Sequence, residues 1–525
     1  MAEENKNTRV REHWSSRLGI ILAVAGSAVG LGNFLRFPAK VVDNGGGAFM
    51  IPYFVSLLLL GIPLMWIEWT LGRYGGSYGH GTAPAIFQSI WKKNPLIKYF
   101  GLLGILGPLL IFSYYTYIES WTLAYSFFSL TGAISQIPDQ ASMKSFLSGY
   151  QGLENNQYFS GIGTAYIFFL ITFAVNITTI YFGIKGGIEK FCRFALPVLF
   201  VCAVALLLRV ITMTSGLSAH YQWSINEGFG FFWNPDFSAL LSAKVWLEAA
   251  GQIFFTLSVG IGCILTYASY VRRKDDVALS GLTAVSANEF AEVILGGSII
   301  IPAAFVFFGP EQIKAIVETG IFNLGFVTMP LVLNSLPVSF LLGFVWFSLL
   351  FLAAVTSSVS LAQPFLAFLE DEFNLTRQKA VAVFAGVTFF MCQPAIFFLG
   401  HGVVDELDFW GGSFCLVVFA LVETILFGWV FGIDRAWKEL HEGALIKVPG
   451  IYKYIIKYVT PLFLLTILGA WAWQQWIPIL MFKGVDIANQ PYILWTRIGI
   501  VVIFILMAGM VKISWDRTRN IFGGD

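Results

Sequence analysis

Charged residues are scarce in this chain. Lysine and arginine together number 32 and aspartate and glutamate 31, so only 12% of the 525 residues are charged. A typical soluble domain carries about 25% charged residues. The net charge is only +1, and the sequence contains no basic block of the kind that binds nucleic acid. The composition therefore excludes an ordinary soluble domain and indicates no nucleic-acid partner.

Cysteine and histidine are rare as well, with five residues of each. The cysteines lie in apolar segments, where a free thiol behaves as a small buried hydrophobic group; they are Cys192, Cys202, Cys263, Cys392 and Cys415. No two histidines have the spacing that puts two metal ligands on one helix face. We therefore expect no disulfide framework, no metalloenzyme and no organic cofactor, and we predict that the protein is not an enzyme.

Long apolar runs, by contrast, fill the chain. Hydrophobic residues make up 57% of it, and the mean hydropathy is +0.73. A helix needs about 20 apolar residues to cross a bilayer. Runs of this length lie near 18–42, 48–71, 99–128, 162–183, 188–213, 241–271, 278–308, 338–369, 378–399, 405–432, 454–478 and 490–513. The sequence therefore predicts an all-α polytopic membrane protein with twelve transmembrane helices, here called spans 1 to 12.

The charged residues that are present predict the orientation of these spans. Residues 1–17 are polar and basic and lack the short apolar core and cleavage site of a signal peptide. Twelve spans put both termini on one side, and with the N-terminus inside most lysines and arginines fall in cytoplasmic segments. Short tails and a modest loop at 129–161 favour a prokaryotic protein. We expect an integral protein of the bacterial inner (plasma) membrane with both termini in the cytoplasm.

Span 1 contains a stretch that is unsuited to a continuous helix. Its sequence at 26–33 is GSAVGLGN, and each glycine costs about 1 kcal/mol relative to alanine in a helix interior. Unwound backbone is tolerated at membrane depth only where it is buried in protein or lines a polar cavity. We therefore predict a broken helix whose free carbonyl and amide groups face an ion or a polar ligand.

Span 6 repeats this feature, because Gln252, Thr256, Ser258, Gly260 and Gly262 place small and hydroxyl residues in mid-membrane. Five spans separate the two breaks, so spans 1–5 and 6–10 would cross the bilayer in opposite senses. Two broken helices at matching positions of inverted halves indicate a transporter site near the midplane. We expect a cytoplasmic tail at 1–17, a first five-helix repeat at 18–213, an inverted second repeat with its preceding extracellular segment at 214–433, helices 11 and 12 at 434–513, and a cytoplasmic tail at 514–525.

Several longer motifs resemble the neurotransmitter:sodium symporter family. They are REHW at 11–14, GLGNFLRFP at 30–38, NGGGAF at 44–49, YY at 114–115, GQIFFTLS at 251–258, TSS at 356–358 and DFW at 408–410. The similarity extends over nearly the whole chain. It implies the fold of that family, in which twelve helices comprise an inverted 5+5 repeat with broken helices 1 and 6, plus two extra helices.

The resemblance also implies two sodium sites. The first uses Ala28, Asn33, Thr256 and Asn288 together with the substrate carboxylate, and the second uses Gly26, Val29, Ala353, Thr356 and Ser357. These residues offer hard oxygen donors, which alkali ions prefer. A half-helix that starts near Gly32 would also direct free N–H groups and the positive end of its dipole at a carboxylate.

The same resemblance implies the residues of a substrate pocket. They are Ala28, Gly30, Leu31, Gly32, Ile111, Tyr115, Phe255, Thr256, Ser258, Ile261, Ser357 and Leu361. The Tyr115 hydroxyl and the amides near Gly30 would hold a carboxylate, and backbone carbonyls with Ser258 would hold an ammonium group. Ile111 and Ile261 replace a valine and a phenylalanine found in the family, so the resemblance does not determine which substrate side chain the pocket prefers.

Charged residues near the site resemble gates and a charge compensator. Arg36 and Asp408 resemble an outer ion pair, while Arg11, Trp14 and Asp371 resemble a cytoplasmic latch. Glu292 lies four residues after Asn288 in span 7, so both residues share a helix face near the first sodium site. In chloride-dependent members the residue matching Glu292 resembles a serine, and chloride supplies the negative charge. We therefore expect transport that is independent of chloride.

These features together predict a sodium-coupled symporter that imports a neutral, hydrophobic L-amino acid by alternating access. Its expected partners are the amino acid, sodium ions and the lipid bilayer, with a homodimer as a candidate assembly. Two alternatives stay open, namely an importer of another small zwitterion and an amino-acid sensor that does not transport. A pore would instead require rings of polar residues along an unobstructed path.

Overall fold

The computed structural model describes residues 12–213, 223–318, 320 and 322–521, with side chains to residue 516. Apart from one bridge between Gly46 and Pro235, the described residues are helices and their connections. Ten helices in this part are long and apolar enough to cross a membrane. They are Gly47–Gly76, Ile97–Leu130, Gly163–Tyr181, Ile184–Ile211, Ala278–Glu318, Ser339–Phe373, Arg377–Phe397, Val403–Val430, Ile451–Leu480 and Gln490–Asp516. These helices coincide with predicted spans 2–5 and 7–12.

Span 1 is broken, as the glycine-rich stretch predicts. Its halves, Arg17–Ala28 and Gly32–Asp43, are bent by 45° relative to each other. Val29 ends the first half with extended backbone (φ −76°, ψ 95°), so the helix does not continue through the break. The carbonyl groups that end the first half and the amides that begin the second are therefore free of the usual helical bonds.

Span 6 is broken as well, into Ala243–Leu257 and Cys263–Ala268. Ser258, Gly260 and Gly262 have positive φ angles of 53°, 76° and 82°, which ends one half and starts the other. Such angles are strained for residues with a side chain, so Ser258 is held there by its surroundings. With the bent pair of span 1, the described residues contain up to eleven helices that are long and apolar enough to cross a membrane, and the two halves of span 6 lie where the remaining span is predicted. The all-α fold class is confirmed.

A buried carboxylate fixes the break of span 6. Glu68, in span 2, accepts hydrogen bonds from the backbone amides of Gly260 (2.5 Å) and Leu265 (3.0 Å). These amides have no helical partner at a break, and leaving them unpaired in the interior would cost about 1–3 kcal/mol each. Span 2 therefore determines where span 6 unwinds.

The two breaks lie inside the bundle. In the apolar segments of spans 3 and 7, 83% of residues are buried by protein, whereas in span 12 the share is 22%, so span 12 lies at the periphery of the bundle. Val29 and Thr256, at the breaks of spans 1 and 6, are at most 1% exposed. The unwound backbone is thus shielded from hydrocarbon, which is the condition for its occurrence at this depth.

Candidate functional site

A cavity with about 480 Å³ of atom-free space lies between the two broken helices. Spans 1, 3, 6, 8 and 10 line it with Ser27, Ala28, Gly30, Gly32, Asn33, Ile111, Tyr115, Phe254, Phe255, Thr256, Ser258, Ile261, Ser357, Ser360, Leu361 and Leu416. Eleven of the twelve residues predicted for the substrate pocket are in this set. The twelfth, Leu31, donates its backbone N–H to the Tyr115 hydroxyl (3.3 Å). The structure therefore brings the whole predicted group together.

One part of the cavity wall is polar and depends on a glycine. A Cβ atom at Gly30 would lie 2.5 Å from Ser357 Oγ and 3.1 Å from the Tyr115 hydroxyl, so a side chain there would collide with both. The absence of a side chain exposes the backbone of the break to the Tyr115 hydroxyl. Ser258 Oγ donates to the Ser27 carbonyl (2.9 Å) close by. This part of the wall can donate to a carboxylate and accept from an ammonium group.

The rest of the wall is apolar. Ile111, Phe255, Ile261 and Leu361 were predicted there, and Phe254 and Leu416 complete it. Sequence reasoning missed the last two because Phe254 adjoins a predicted residue without a separate signal, and Leu416 is one of many leucines in span 10. A polar wall facing an apolar one fits a ligand that has a charged backbone and a hydrophobic side chain.

The residues of the first predicted sodium site form an oxygen-rich cluster. Asn33 Nδ2 lies 2.8 Å from Asn288 Oδ1 and 3.2 Å from Thr256 Oγ1. With the Asn288 amide turned so that its donor and acceptor are both satisfied, its nitrogen donates to the Ala28 carbonyl (3.1 Å) and the Thr256 carbonyl (3.2 Å), and its oxygen accepts from the Thr256 hydroxyl (3.0 Å). Carbonyl, amide and hydroxyl oxygens of spans 1, 6 and 7 therefore lie together here. Turning the Asn33 and Asn288 amides changes which atoms they present without moving the heavy-atom framework, so the donor set fits a hard monovalent cation.

Four residues of the second predicted sodium site meet where span 1 approaches span 8. Ser357 Oγ donates to the Ser27 (3.1 Å) and Gly26 (3.4 Å) carbonyls. Thr356 Oγ1 donates to the Ala353 carbonyl (2.9 Å), and a Cβ atom at Gly26 would lie only 3.1 Å from Thr356 Cβ. Val29 is buried at the end of the first half of span 1. Hydroxyl and carbonyl oxygens are therefore concentrated at this approach.

Glu292 is fully buried and surrounded by hydrogen-bond donors. It accepts from Gln252 Nε2 (2.9 Å), the Tyr53 hydroxyl (3.1 Å), Asn33 Nδ2 (3.0 Å) and the Thr256 hydroxyl. The carboxylate thus shares Asn33 and Thr256 with the first predicted sodium site.

A second acid joins this group. Glu289 accepts from the Tyr53 hydroxyl at 2.8 Å, so two carboxyl groups share that hydroxyl. Sequence reasoning missed Glu289, although it lies inside the same apolar run as Glu292, and an acid in an apolar run is a signal that could have identified it.

The predicted gate residues are arranged differently on the two sides. Arg36 lies over the Phe255 ring, 4.3 Å from its centroid, and Asp408 accepts from the Tyr114 hydroxyl at 2.5 Å. Among the described residues no ion pair within 4 Å joins Arg36 to Asp408, so their pairing stays a prediction.

On the opposite side, Trp14 Nε1 donates to the Tyr267 carbonyl (3.0 Å) and packs edge-on against the Tyr267 ring, with centroids 5.3 Å apart. Trp14 is only 6% exposed, so this side is closed. Arg11 lies outside the described residues, and Asp371 lies near the end of span 8.

Comparisons with known proteins find relatives that match most of the chain. The family model described as sodium:neurotransmitter symporter family matches residues 11–146 and 140–515. An uncharacterised sodium-dependent transporter of Methanocaldococcus jannaschii is 34% identical over 462 residues, which cover 86% of this chain and 89% of that protein. The sodium- and chloride-dependent glycine transporter 2 of Xenopus laevis is 24% identical over 91% of this chain and 66% of its own.

A solved structure is also similar. The crystal structure of MhsT in complex with L-phenylalanine superposes with a TM-score of 0.75 at 29% sequence identity. The match covers 88% of this chain and 99% of that chain. The residues matched by the family model, 11–146 and 140–515, include both broken helices and the residues that line the cavity.

Proposed function

The chain belongs to the sodium:neurotransmitter symporter family, and on this premise we propose that it imports a neutral, hydrophobic L-amino acid together with sodium. It is an integral membrane transporter of the sodium-dependent type and not an enzyme. The observation that carries the substrate proposal is the cavity, in which a polar wall at the break of span 1 faces an apolar wall. An L-amino acid presents this combination of groups.

Two sodium ions are proposed to bind with the substrate. Ala28, Asn33, Thr256 and Asn288 would hold the first ion beside the substrate carboxylate, and the approach of span 1 to span 8 would hold the second. A bound sodium ion would supply positive charge that offsets the substrate carboxylate in a site of low dielectric. The contribution of the chain is to hold oxygen donors from spans 1, 6, 7 and 8 within reach of one another.

The side-chain preference is proposed from the apolar wall. MhsT, a relative of known structure, binds L-phenylalanine. Ile261 and Ile111 shape the wall here, and the change of one methylene in such a pocket is worth about 1–3 kcal/mol of discrimination. We propose that the substrate carries a medium or large hydrophobic side chain. A small zwitterion is the second candidate substrate, and a weak contribution of the apolar wall to binding would favour it.

Chloride independence is proposed from Glu292. This carboxylate is covalently part of the chain and lies among Tyr53, Gln252 and Thr256, so a fixed negative charge is already present beside the first sodium site. A chloride ion in the same place would be repelled. The glycine transporter of Xenopus laevis is described as chloride-dependent, so the family contains both types under this proposal.

Alternating access is the proposed mechanism. Sodium and amino acid would bind with different affinities to arrangements open on opposite sides, and this difference would couple the two fluxes. Trp14 is buried and hydrogen-bonded on one side of the cavity. On the other side, Arg36 and Asp408 contact Phe255 and Tyr114 and, among the described residues, not each other. These contacts support an arrangement in which the cavity opens toward Arg36. We place both termini in the cytoplasm of a bacterium, in the inner membrane. A homodimer is the assembly to be tested.

The test is uptake into proteoliposomes. A labelled hydrophobic amino acid should accumulate against its gradient only when sodium is outside, and replacement of sodium by choline should abolish accumulation. Competition with each natural amino acid then ranks the substrates. Sodium-dependent binding without accumulation would favour the sensor, and accumulation without sodium would contradict the proposal.

A further inference from the structure

A further buried acid, Glu119, lies outside the cavity and is used by none of the steps above. Glu119, in span 3, is 0% exposed, and its Oε1 accepts from Asn176 Nδ2 of span 4 at 2.9 Å. Asn176 Oδ1 in turn accepts from Ser358 Oγ of span 8 at 2.6 Å. The other carboxyl oxygen, Glu119 Oε2, is buried without a hydrogen-bond partner. Three spans therefore meet in one chain of hydrogen bonds that ends at a carboxyl group.

No cation balances this carboxyl in the described part of the protein. Among those residues no lysine or arginine forms an ion pair with Glu119. The titratable groups that face it are Tyr115 from its own span and Cys392 from span 9; spans 4 and 8 present Asn176 and Ser358, which do not titrate. An ionised carboxylate buried without a counter-charge costs several kcal/mol. A bound proton removes that cost.

The hydrogen-bond chain has two arrangements. With Glu119 ionised, Ser358 donates to the Asn176 oxygen, and the Asn176 amide nitrogen donates to Glu119 and, at 3.3 Å, to the Thr172 carbonyl of its own helix, a bond that is given up when the amide turns. With Glu119 protonated, its hydroxyl donates to the Asn176 oxygen, the amide nitrogen donates to Ser358, and Ser358 donates to the Val355 carbonyl at 3.1 Å. The two arrangements share the same heavy-atom positions and differ by the turn of one amide and one hydroxyl.

The hydrogen bonds that link Glu119, Asn176 and Ser358 lie next to residues of the proposed sodium and substrate sites. Ser358 follows Ser357, whose hydroxyl donates to carbonyls at the break of span 1. Glu119 is one helical turn from Tyr115, which accepts from the Leu31 amide at the same break. A positive ion at the break would stabilise a negative charge on Glu119, and a proton on Glu119 would remove that support.

We propose that Glu119, Asn176 and Ser358 form a reversible hydrogen-bond relay that binds one proton, and that sodium binding at the break of span 1 expels this proton. The step breaks the O–H bond of the Glu119 carboxyl and transfers the proton to water, while the carboxylate keeps the electron pair. The proposal rests on the proposed sodium coupling. Linkage makes this effect reciprocal. If bound sodium lowers the proton affinity of Glu119 by a certain factor, a bound proton must lower the sodium affinity by the same factor.

The test measures sodium affinity against pH with the purified full chain. Sodium chloride is titrated at constant ionic strength between about pH 5 and about pH 9, a range that brackets a perturbed carboxyl, and intrinsic tryptophan fluorescence reports binding. In the wild type, the half-saturating sodium concentration should be about fivefold or more higher at the acid end. In Glu119→Gln, whose amide reproduces the protonated arrangement, it should stay near the acid value at every pH. An unchanged pH dependence in Glu119→Gln would overturn the proposal.

Two serines of span 8 provide a matched pair of variants. Ser358→Ala should move the midpoint of the pH dependence upward, because the ionised arrangement loses the donor that supports the Asn176 oxygen. Ser348→Ala should leave the midpoint unchanged, since Ser348 bonds Ser126 of span 3 at 2.8 Å and has no link to a carboxyl. Equal midpoints for Ser358→Ala and the wild type would contradict the relay even if Glu119→Gln does not fold.

An infrared measurement separates this proposal from the proposed function. The carbonyl stretch of a protonated carboxyl group should appear in sodium-free wild type, decrease on sodium addition and be weaker in Glu119→Gln. A band that is identical in wild type and Glu119→Gln would reject the relay while sodium-coupled uptake stands. Absence of sodium-dependent uptake would reject the proposed function, and the band would still show whether Glu119 holds a proton.

Discussion

Under the proposed function, the Glu292 carboxylate takes the place of a bound anion. Its carboxylate accepts from Gln252 and Tyr53 at 2.9 and 3.1 Å and also contacts Thr256. Buried carboxylates are costly in a membrane protein and are therefore typically functional. Since its donors would suit any anion, removal of the carboxylate should leave a site that a small anion fills.

We predict that Glu292→Ser makes uptake depend on chloride, because the donors remain while the fixed charge is lost. The measurement is uptake into proteoliposomes with chloride or gluconate on both sides. Wild-type protein should transport equally in the two salts, and the variant should be active only in chloride. Glu227→Ser, at an exposed position outside the cavity, is the control. Chloride dependence of the wild type would disprove the assignment of Glu292.

Ile261 sets the depth of the apolar wall. We predict that Ile261→Phe shifts preference toward smaller aliphatic amino acids, because an added ring takes up space in the cavity between the broken helices. The shift should be about 10-fold to 200-fold between large and small substrates, as expected for methylene-scale changes. Competition binding with a graded series of amino acids measures it. Identical rankings for wild type and Ile261→Phe would show that Ile261 does not contact the substrate side chain.

At the scale of elements, the second half of span 1 and the first half of span 6 are tied together by two ion pairs. Lys40 Nζ lies 2.6 Å from Glu248 Oε2, and Lys244 Nζ lies 2.9 Å from Asp43 Oδ2. The first pair is only 17% and 20% exposed, so it is less screened than a surface pair. Under the proposed alternating access, these two ion pairs would act as a clamp that makes the two half-helices move together.

We predict that Lys40→Glu and Glu248→Lys each reduce uptake several-fold, since each places like charges in contact, and that the double variant restores it. The coupling energy from the double-mutant cycle should be about 1 kcal/mol, at the upper end for partly exposed pairs. Exchanging the charges of Arg273 and Glu442, which are 71% and 35% exposed, should have no effect. If uptake stays low in the Lys40→Glu/Glu248→Lys double variant, the ion pair between Lys40 and Glu248 does not clamp the two half-helices together.

The elements also show what the sequence could predict. The twelve spans and both breaks follow from local features, because bilayer thickness sets the length of each apolar run and glycines interrupt two of them. The hydrogen bond between Glu68 and the Gly260 amide at the break of span 6 does not follow from local features, since the two residues are 192 positions apart in the sequence. Like Glu292, Glu68 and Glu119 are acids inside apolar runs. This signal marks them as candidate functional residues, but it does not reveal which residues they contact.

At the scale of the whole molecule, the first proposed sodium site joins three parts of the chain that are far apart in sequence. Asn33, Thr256 and Asn288 come from spans 1, 6 and 7, and their polar atoms face one another at the centre of the bundle. Each broken helix lacks continuous backbone bonds at this level. A cation held by oxygens from several spans would therefore stabilise the packing of the whole bundle.

We accordingly predict that sodium raises the melting temperature of the purified protein and that a bound amino acid raises it further. A ligand that binds only the folded state stabilises it by RT ln(1 + [L]/Kd), or about 2.7 kcal/mol when its concentration is about 100 times Kd. The experiment is thermal unfolding in detergent, in sodium chloride and in choline chloride of equal concentration. Asn288→Ala should lose much of the sodium effect and weaken that of the amino acid, because the first ion and the substrate carboxylate are mutually stabilising. Equal melting temperatures of the wild type in the two salts would show that sodium does not bind the folded protein.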